Sequence, residues 1–156
     1  MPDETDDAVG IRVNPPLVYG GTLVLGLLLN RLAPRAFLPR RVARVVGGLL
    51  CALGLGIGMP AFLTMRRAHT NVRPDLPTTA LVVGGPFRYT RNPLYLSLAL
   101  LYAGIATFAN ALAAILLLPA VLAVIDRGMI AREERYLERK FGDDYRQYRA
   151  RVCRWI

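Results

Sequence analysis

The chain has 156 residues, enough for one domain and too few for a second core. Hydrophobic residues make up 54% of it and the mean hydropathy is +0.35, yet the formal net charge is +9, nearly all arginine, with Lys140 the sole lysine. Basic loops beside lipid-embedded apolar runs keep those two properties apart. A nucleic-acid binder would be basic without uncharged runs of this length.

Met1–Gly10 is acidic and polar, so it reads as a tail and not as a signal peptide, which begins with basic residues. Pro15 and Pro16 start a first apolar run, Leu17–Leu32, with Arg31 placed to snorkel to the interface. Val42–Met65 is the clearest second run. Within it Gly54 and Gly58 form a GxxxG pair, and Gly48, Ala52 and Gly56 form another small-residue stripe. Each is either a helix-packing face or part of a merely flexible span. Leu94–Ile125 carries no charge over 32 residues, which as one helix would run about 48 Å. That is too long for an upright span of a core about 30 Å thick. The break Thr107-Phe108-Ala109-Asn110 therefore predicts a hairpin of two short helices, with Pro119 as a kink in the second. The expectation is an all-α integral membrane bundle of about four transmembrane helices with a C-terminal polar helical cap. Cys51 and Cys153 lie far apart, giving neither metal spacing nor a disulfide framework, and both read as free thiols.

Fifteen of the twenty basic residues fall in the N-terminal tail, the Met65–Asn92 loop and the segment after Asp126, which share one side in a four-span topology. The positive-inside rule puts that side in the cytoplasm, of a bacterial inner membrane in this reading. Five arginines in the Arg31–Arg44 loop pull the other way. In either orientation the two most polar segments can meet.

The first of these, His69–Ser97, is too long and too rich in Pro, Gly and Thr for a mere connector. Leu81, Val82 and Val83 are β-prone and Gly84-Gly85-Pro86 signals a turn. Arg88, Tyr89, Arg91, Asn92 and Tyr95 then crowd the mouth of a span, where a functional site or an interfacial anchor is expected. In the second, Met129, Ile130, Leu137 and Phe141 share a helical face, so the last helix continues out of the membrane. Gly142 is a stop, with Asp143 or Asp144 capping a further short helix. The charges around Glu134 and Glu138 read most simply as a solvated, salt-bridged face. Arg149, Arg151, Arg154 and Trp155 suit lipid head groups.

GPFRYTRNPLY (Gly85–Tyr95), then an apolar hairpin, then EERYLERKFGDDYRQY (Glu133–Tyr148), resembles the isoprenylcysteine carboxyl methyltransferase and phospholipid methyltransferase superfamily. The match runs from about Arg66 to the end. It implies a single membrane methyltransferase domain, residues 1–156, whose cofactor-binding and catalytic part is 66–156. The resemblance implies S-adenosylmethionine as methyl donor, S-adenosylhomocysteine as product, and a lipophilic acceptor. Carried over by position, Leu81, Val82, Gly85, Phe87, Arg88, Tyr89, Arg91, Asn92, Tyr95, Glu133 and Glu134 would bind the cofactor, with Arg91, Asn92, Tyr95 and Glu134 at the chemistry. Phe87 stands where the family often has Tyr, and Asn92 where it often has His. Asn92 keeps hydrogen bonding but not acid–base function near neutral pH.

The residue types suit that ligand. Its carboxylate calls for an arginine fork, from Arg88 or Arg91. Its ammonium and sulfonium call for carboxylates, from Glu133 or Glu134. A carboxylate or thiolate acceptor needs no general base, whereas a protonated amine must first lose a proton. His69 is a candidate base, although a loop histidine is more often structural. No GxGxxG motif follows a strand pattern, which disfavours a soluble nucleotide-binding fold. Membrane lipids and a prenylcysteine-type, amino-phospholipid or small-thiol acceptor are the expected partners, entering between the second span and the hairpin; no nucleic acid is expected. The alternatives are a lipid-binding membrane scaffold and an isoprenoid or sterol-type membrane reductase.

Overall fold

A computed structural model describes residues 14–71 and 78–156; the acidic tail Met1–Gly10 lies outside them. The described residues form an all-helical chain with no strand. Helix α1 is Pro15–Leu32, α2 is Arg40–Arg67, α3 is Pro93–Phe108 and α4 is Leu112–Val124. A 3₁₀ turn, Gly85–Arg88, precedes α3. A π-helical turn, Ile125–Ile130, carries α4 on into α5, Ala131–Arg151. Prolines open α1 and α3, where the first turn has no use for their missing N–H. Pro119 sits inside α4 without ending it.

The β-prone Leu81–Val83 forms no strand. Its neighbours are satisfied by side chains instead: Thr78 N–H donates to the Tyr136 hydroxyl at 3.2 Å and Thr79 N–H to Thr70 Oγ1 at 3.1 Å. A lone extended segment with no partner strand has no ladder to join.

Packing follows the small residues. Ala43, Gly47, Gly54 and Ala61 are buried along one face of α2, and that face lies on α3. A Cβ on Gly47 would stand 2.5 Å from the Phe108 nitrogen and 2.7 Å from the Gly104 carbonyl. Gly58 abuts the Ser97 side chain, whose hydroxyl donates to the Gly54 carbonyl at 2.8 Å. Gly54 and Gly58 are thus a packing face, whereas Gly48 and Gly56 face open space. Half-buried Cys51 touches Gly104, and both cysteines are free. Helix α1 packs on α4 through Gly26 and Ala114, while Tyr19 meets Tyr102 edge-on.

At one end of the bundle Asn110, in the left-handed conformation (φ 52°), ties the α1–α2 loop to the α3–α4 turn. Its Oδ1 accepts from the Phe37 and Leu38 N–H groups and its Nδ2 donates to the Leu38 carbonyl. Residues 68–71 and 78–92 and α5 therefore gather at the opposite end. The outer surface stays apolar: Leu49, Leu53, Leu55, Met59 and Leu116 are exposed. Two helices, Arg40–Arg67 and the continuous Leu112–Arg151, are long and apolar enough to cross a membrane, and α3 is a shorter apolar helix.

Candidate active site

Loop 78–92 is held from two sides. From α5, the Tyr148 hydroxyl donates to the Phe87 carbonyl at 2.7 Å, and Tyr136 receives Thr78. Gly142, with φ 52° and ψ −120°, breaks the helical path where the sequence places a stop, and lets the second part of α5 turn back. From the chain beyond α5, the Cys153 carbonyl accepts from Arg91 N–H at 2.9 Å. The Arg154 carbonyl accepts from Thr90 Oγ1 at 3.1 Å and Asn92 Nδ2 at 2.9 Å. These bonds fix the backbone of 90–92 just where α3 begins.

Two adjoining cavities result. The inner one, about 60 Å³, is lined by Leu81, Val82, Phe87, Arg91, Asn92, Glu133, Glu134, Leu137, Tyr145 and Tyr148, with Met65 and Thr70 beneath. The outer one, about 480 Å³, is an apolar groove between α2 and the start of α3, with Asn14, Pro15 and Pro16 on its rim. Met65, Phe87, Arg91, Asn92 and Glu133 belong to both walls.

The charges at this junction are ordered. Arg91 Nη1 lies 2.8 Å from Glu134 Oε1 and donates to the Tyr145 hydroxyl at 3.3 Å. Arg154 donates to both oxygens of Glu134 and, through Nη1, to Asp126 at 3.2 Å; the Trp155 indole also donates to Asp126 at 2.9 Å. Glu134 is buried; Glu133 is partly buried and accepts from the Tyr95 hydroxyl at 3.0 Å. Burial pushes the Glu133 carboxyl above the usual carboxylate range, against the Tyr95 hydrogen bond and with help from the Glu134 charge.

Of the residues singled out in the sequence, Leu81, Val82, Phe87, Arg91, Asn92, Glu133 and Glu134 line the inner cavity and Tyr95 the outer. Gly85 (φ 59°) lines neither; its missing Cβ lets the turn approach Thr64 of α2. Arg88, Tyr89 and His69 are exposed and line neither. Arg154, read from sequence as a head-group contact, instead turns inward onto Glu134 and Asp126. Sequence reasoning also missed Asp126, Tyr136, Tyr145 and Tyr148 as partners in this site. The F-G-x-x-Y-x-x-Y spacing held a signal for the last two; nothing in the sequence marked Asp126 and Arg154 as a pair.

A sequence profile of phospholipid methyltransferases matches residues 42–144. The chain belongs to the phospholipid methyltransferase family. The matched stretch spans α2 to the first part of α5 and contains Arg91, Asn92, Tyr95, Glu133 and Glu134, while Tyr145, Tyr148 and Arg154 lie beyond it. The chain is also similar to an uncharacterized protein of Haemophilus influenzae, 48% identical over 64 residues, which cover 40% of this chain and all of that protein. No solved structure matches. Membership of the phospholipid methyltransferase family points to methyl transfer as the class of activity and to lipid as the class of substrate.

Proposed function

We propose that this chain is an integral membrane methyltransferase that uses S-adenosylmethionine to methylate a lipophilic acceptor at the membrane interface. The carrying observation is the shared wall: a cavity that one family-matched arginine and two glutamates line has Met65, Phe87, Arg91, Asn92 and Glu133 in common with an apolar groove. A donor nucleoside on one side and an acyl or prenyl chain on the other would meet there.

The residues present fit such a donor. Arg91 Nε is buried with no hydrogen-bond partner among the described residues, a donor that a ligand carboxylate would satisfy. Glu133 offers a carboxylate to a cation. Leu81, Val82 and Leu137 offer apolar surface to an adenine ring. The inner cavity as it stands has room for water-sized groups, so nucleoside entry requires its wall to open. Bound there by Arg91 and Glu133, S-adenosylmethionine would supply an electrophilic methyl group to the acceptor's lone pair, with its sulfonium as the leaving thioether. Asn92, buried and donating from Nδ2 to the Arg154 carbonyl, orients the loop and has no acid–base role. Positioning of the acceptor against the methyl is the main contribution these residues make.

The membrane setting rests on surface chemistry. In the most apolar stretch of α2, mean hydropathy is 2.0 and only 17% of the residues are buried. A soluble protein rarely exposes an apolar face of that extent, whereas lipid would cover it. We place α1 to α4 across a bacterial inner membrane, with loop 78–92 and α5 on the cytoplasmic face and the apolar groove open to lipid. The acceptor is an amino-phospholipid, a prenylcysteine-type carboxylate or a small thiol.

Calorimetric titration of detergent-solubilised protein with S-adenosylhomocysteine tests the reading. Binding in the micromolar range, followed by transfer of labelled methyl to a lipid extract, is expected. No binding in detergent or in lipid nanodiscs would leave a lipid-binding scaffold as the better account.

A further inference from the structure

The acidic and basic groups around the inner cavity are not all paired among the described residues. Arg91 and Arg154 face Glu134 and Asp126 in one connected network. Glu133 stands outside it: its carboxylate receives the Tyr95 hydroxyl and has no cation within ion-pair distance among the described residues. Position separates the two glutamates as well. Glu134 lines the inner cavity alone, whereas Glu133 lines the wall common to cavity and groove.

We propose that Glu133 is the residue by which this site tells the sulfonium methyl donor from its neutral thioether product. The inference rests on the methyltransferase reading above. Donor and product share the adenosine and the zwitterionic amino acid and differ by one methyl group and one positive charge. An acceptor arriving through the groove has to meet the methyl at the common wall, so the sulfur stands near Glu133. An uncompensated carboxylate in a partly desolvated wall favours the cationic ligand there. The attraction fades as positive charge leaves sulfur, so it serves donor capture and product release and does not speed the chemical step. Arg154 and Asp126 have a part in this: by balancing Glu134 and Arg91 they leave Glu133 as the one acidic group of the set with no cation partner among the described residues.

The test compares S-adenosylmethionine and S-adenosylhomocysteine by calorimetry on the full, detergent-solubilised chain, as wild type and as Glu133→Gln. Wild type should bind the donor about tenfold tighter than the product, and the variant should lose that preference because its donor affinity falls about tenfold while product affinity changes by less than about twofold. Retained product binding also reports that the variant is folded. Equal losses for both ligands would place Glu133 on the shared amino acid and overturn the inference, as would no change in either. A nucleoside analogue with a protonated amine in place of the sulfonium decides the matter on wild type alone: donor-like affinity supports the inference and product-like affinity overturns it. Failure of wild type to bind any of these ligands overturns the methyltransferase reading, and this inference with it.

Discussion

Arg154 reaches back 20 residues to Glu134 and holds both of its carboxylate oxygens, Nε at 3.1 Å from Oε1 and Nη2 on Oε2. The same glutamate receives Arg91 on Oε1. One buried carboxylate thus joins the segment after α5 to the loop before α3. Arg154→Ala leaves that carboxylate half-compensated, and a loss of about 2 kcal/mol in unfolding free energy is expected. Nucleoside affinity should fall with it, since Arg91 loses its fixed partner geometry. In a cycle with Glu134→Gln, a coupling of about 1–2 kcal/mol is expected, measured by denaturant unfolding in one detergent. A loss under about 0.5 kcal/mol would mark Arg154 as an ordinary surface arginine.

Gly47 and Gly48 are neighbours with opposite environments. A Cβ on Gly47 meets backbone atoms of α3, which cannot rotate away; one on Gly48 meets nothing within 4 Å. Gly47→Ala should destabilise by about 1–3 kcal/mol through forced separation of α2 and α3. Gly48→Ala and Gly56→Ala should be neutral or stabilising by up to about 1 kcal/mol, because alanine favours helix. Thermal melts of the three variants check the sign, and a loss at Gly48 equal to that at Gly47 would refute the seam.

The helices were legible because lipid-length apolar runs and their polar breaks are one-dimensional signals. Leu17–Leu32 and Val42–Met65 fall within α1 and α2, and the break at Thr107–Asn110 became the hairpin turn. Side-chain direction within a short loop was less legible. Arg88 and Arg91 are three residues apart, and the 3₁₀ turn at Gly85–Arg88 leaves the first exposed while the second is partly buried and paired with Glu134. The Asp126–Arg154 pair joins charges 28 residues apart, and such a contact leaves no periodicity to read. Leu81–Val83 looked like a strand because β-propensity registers apolar packing surface, which Leu81 and Val82 give to a cavity wall while Val83 stays exposed.

Glu133 lies beyond the apolar segments, and its carboxyl is pushed up by burial. The folded chain holds that proton more tightly than the unfolded one. Its contribution to stability is therefore full below the ordinary carboxylate range and is lost as pH rises through the raised folded value. Glu134 and Arg91 line the inner cavity with Glu133, Tyr95 and Arg91 line the groove with it, and of these Tyr95 contacts Glu133 directly. A cationic ligand favours the carboxylate form, so donor binding should release a proton and strengthen as pH rises through the same window. Titrations in buffers of different ionisation heat should show that release for wild type, and Glu133→Gln should abolish it. Identical heats for wild type in every buffer would show that Glu133 is already charged in the free protein.

Asn110 joins two loops at the end of the bundle away from the cavities, through three hydrogen bonds to Phe37 and Leu38. It also occupies a left-handed backbone conformation that asparagine and glycine tolerate best. Asn110→Ala loses both properties and should cost about 2–3 kcal/mol. Asn110→Gly keeps the backbone conformation and loses the side-chain bonds, so a smaller loss of about 1–2 kcal/mol is expected. Product affinity should be unchanged in both variants, because the joint touches neither cavity. Unfolding and calorimetry on the same samples separate the two quantities. A fall in affinity without a fall in stability would mean that the two ends of the bundle are coupled through α3.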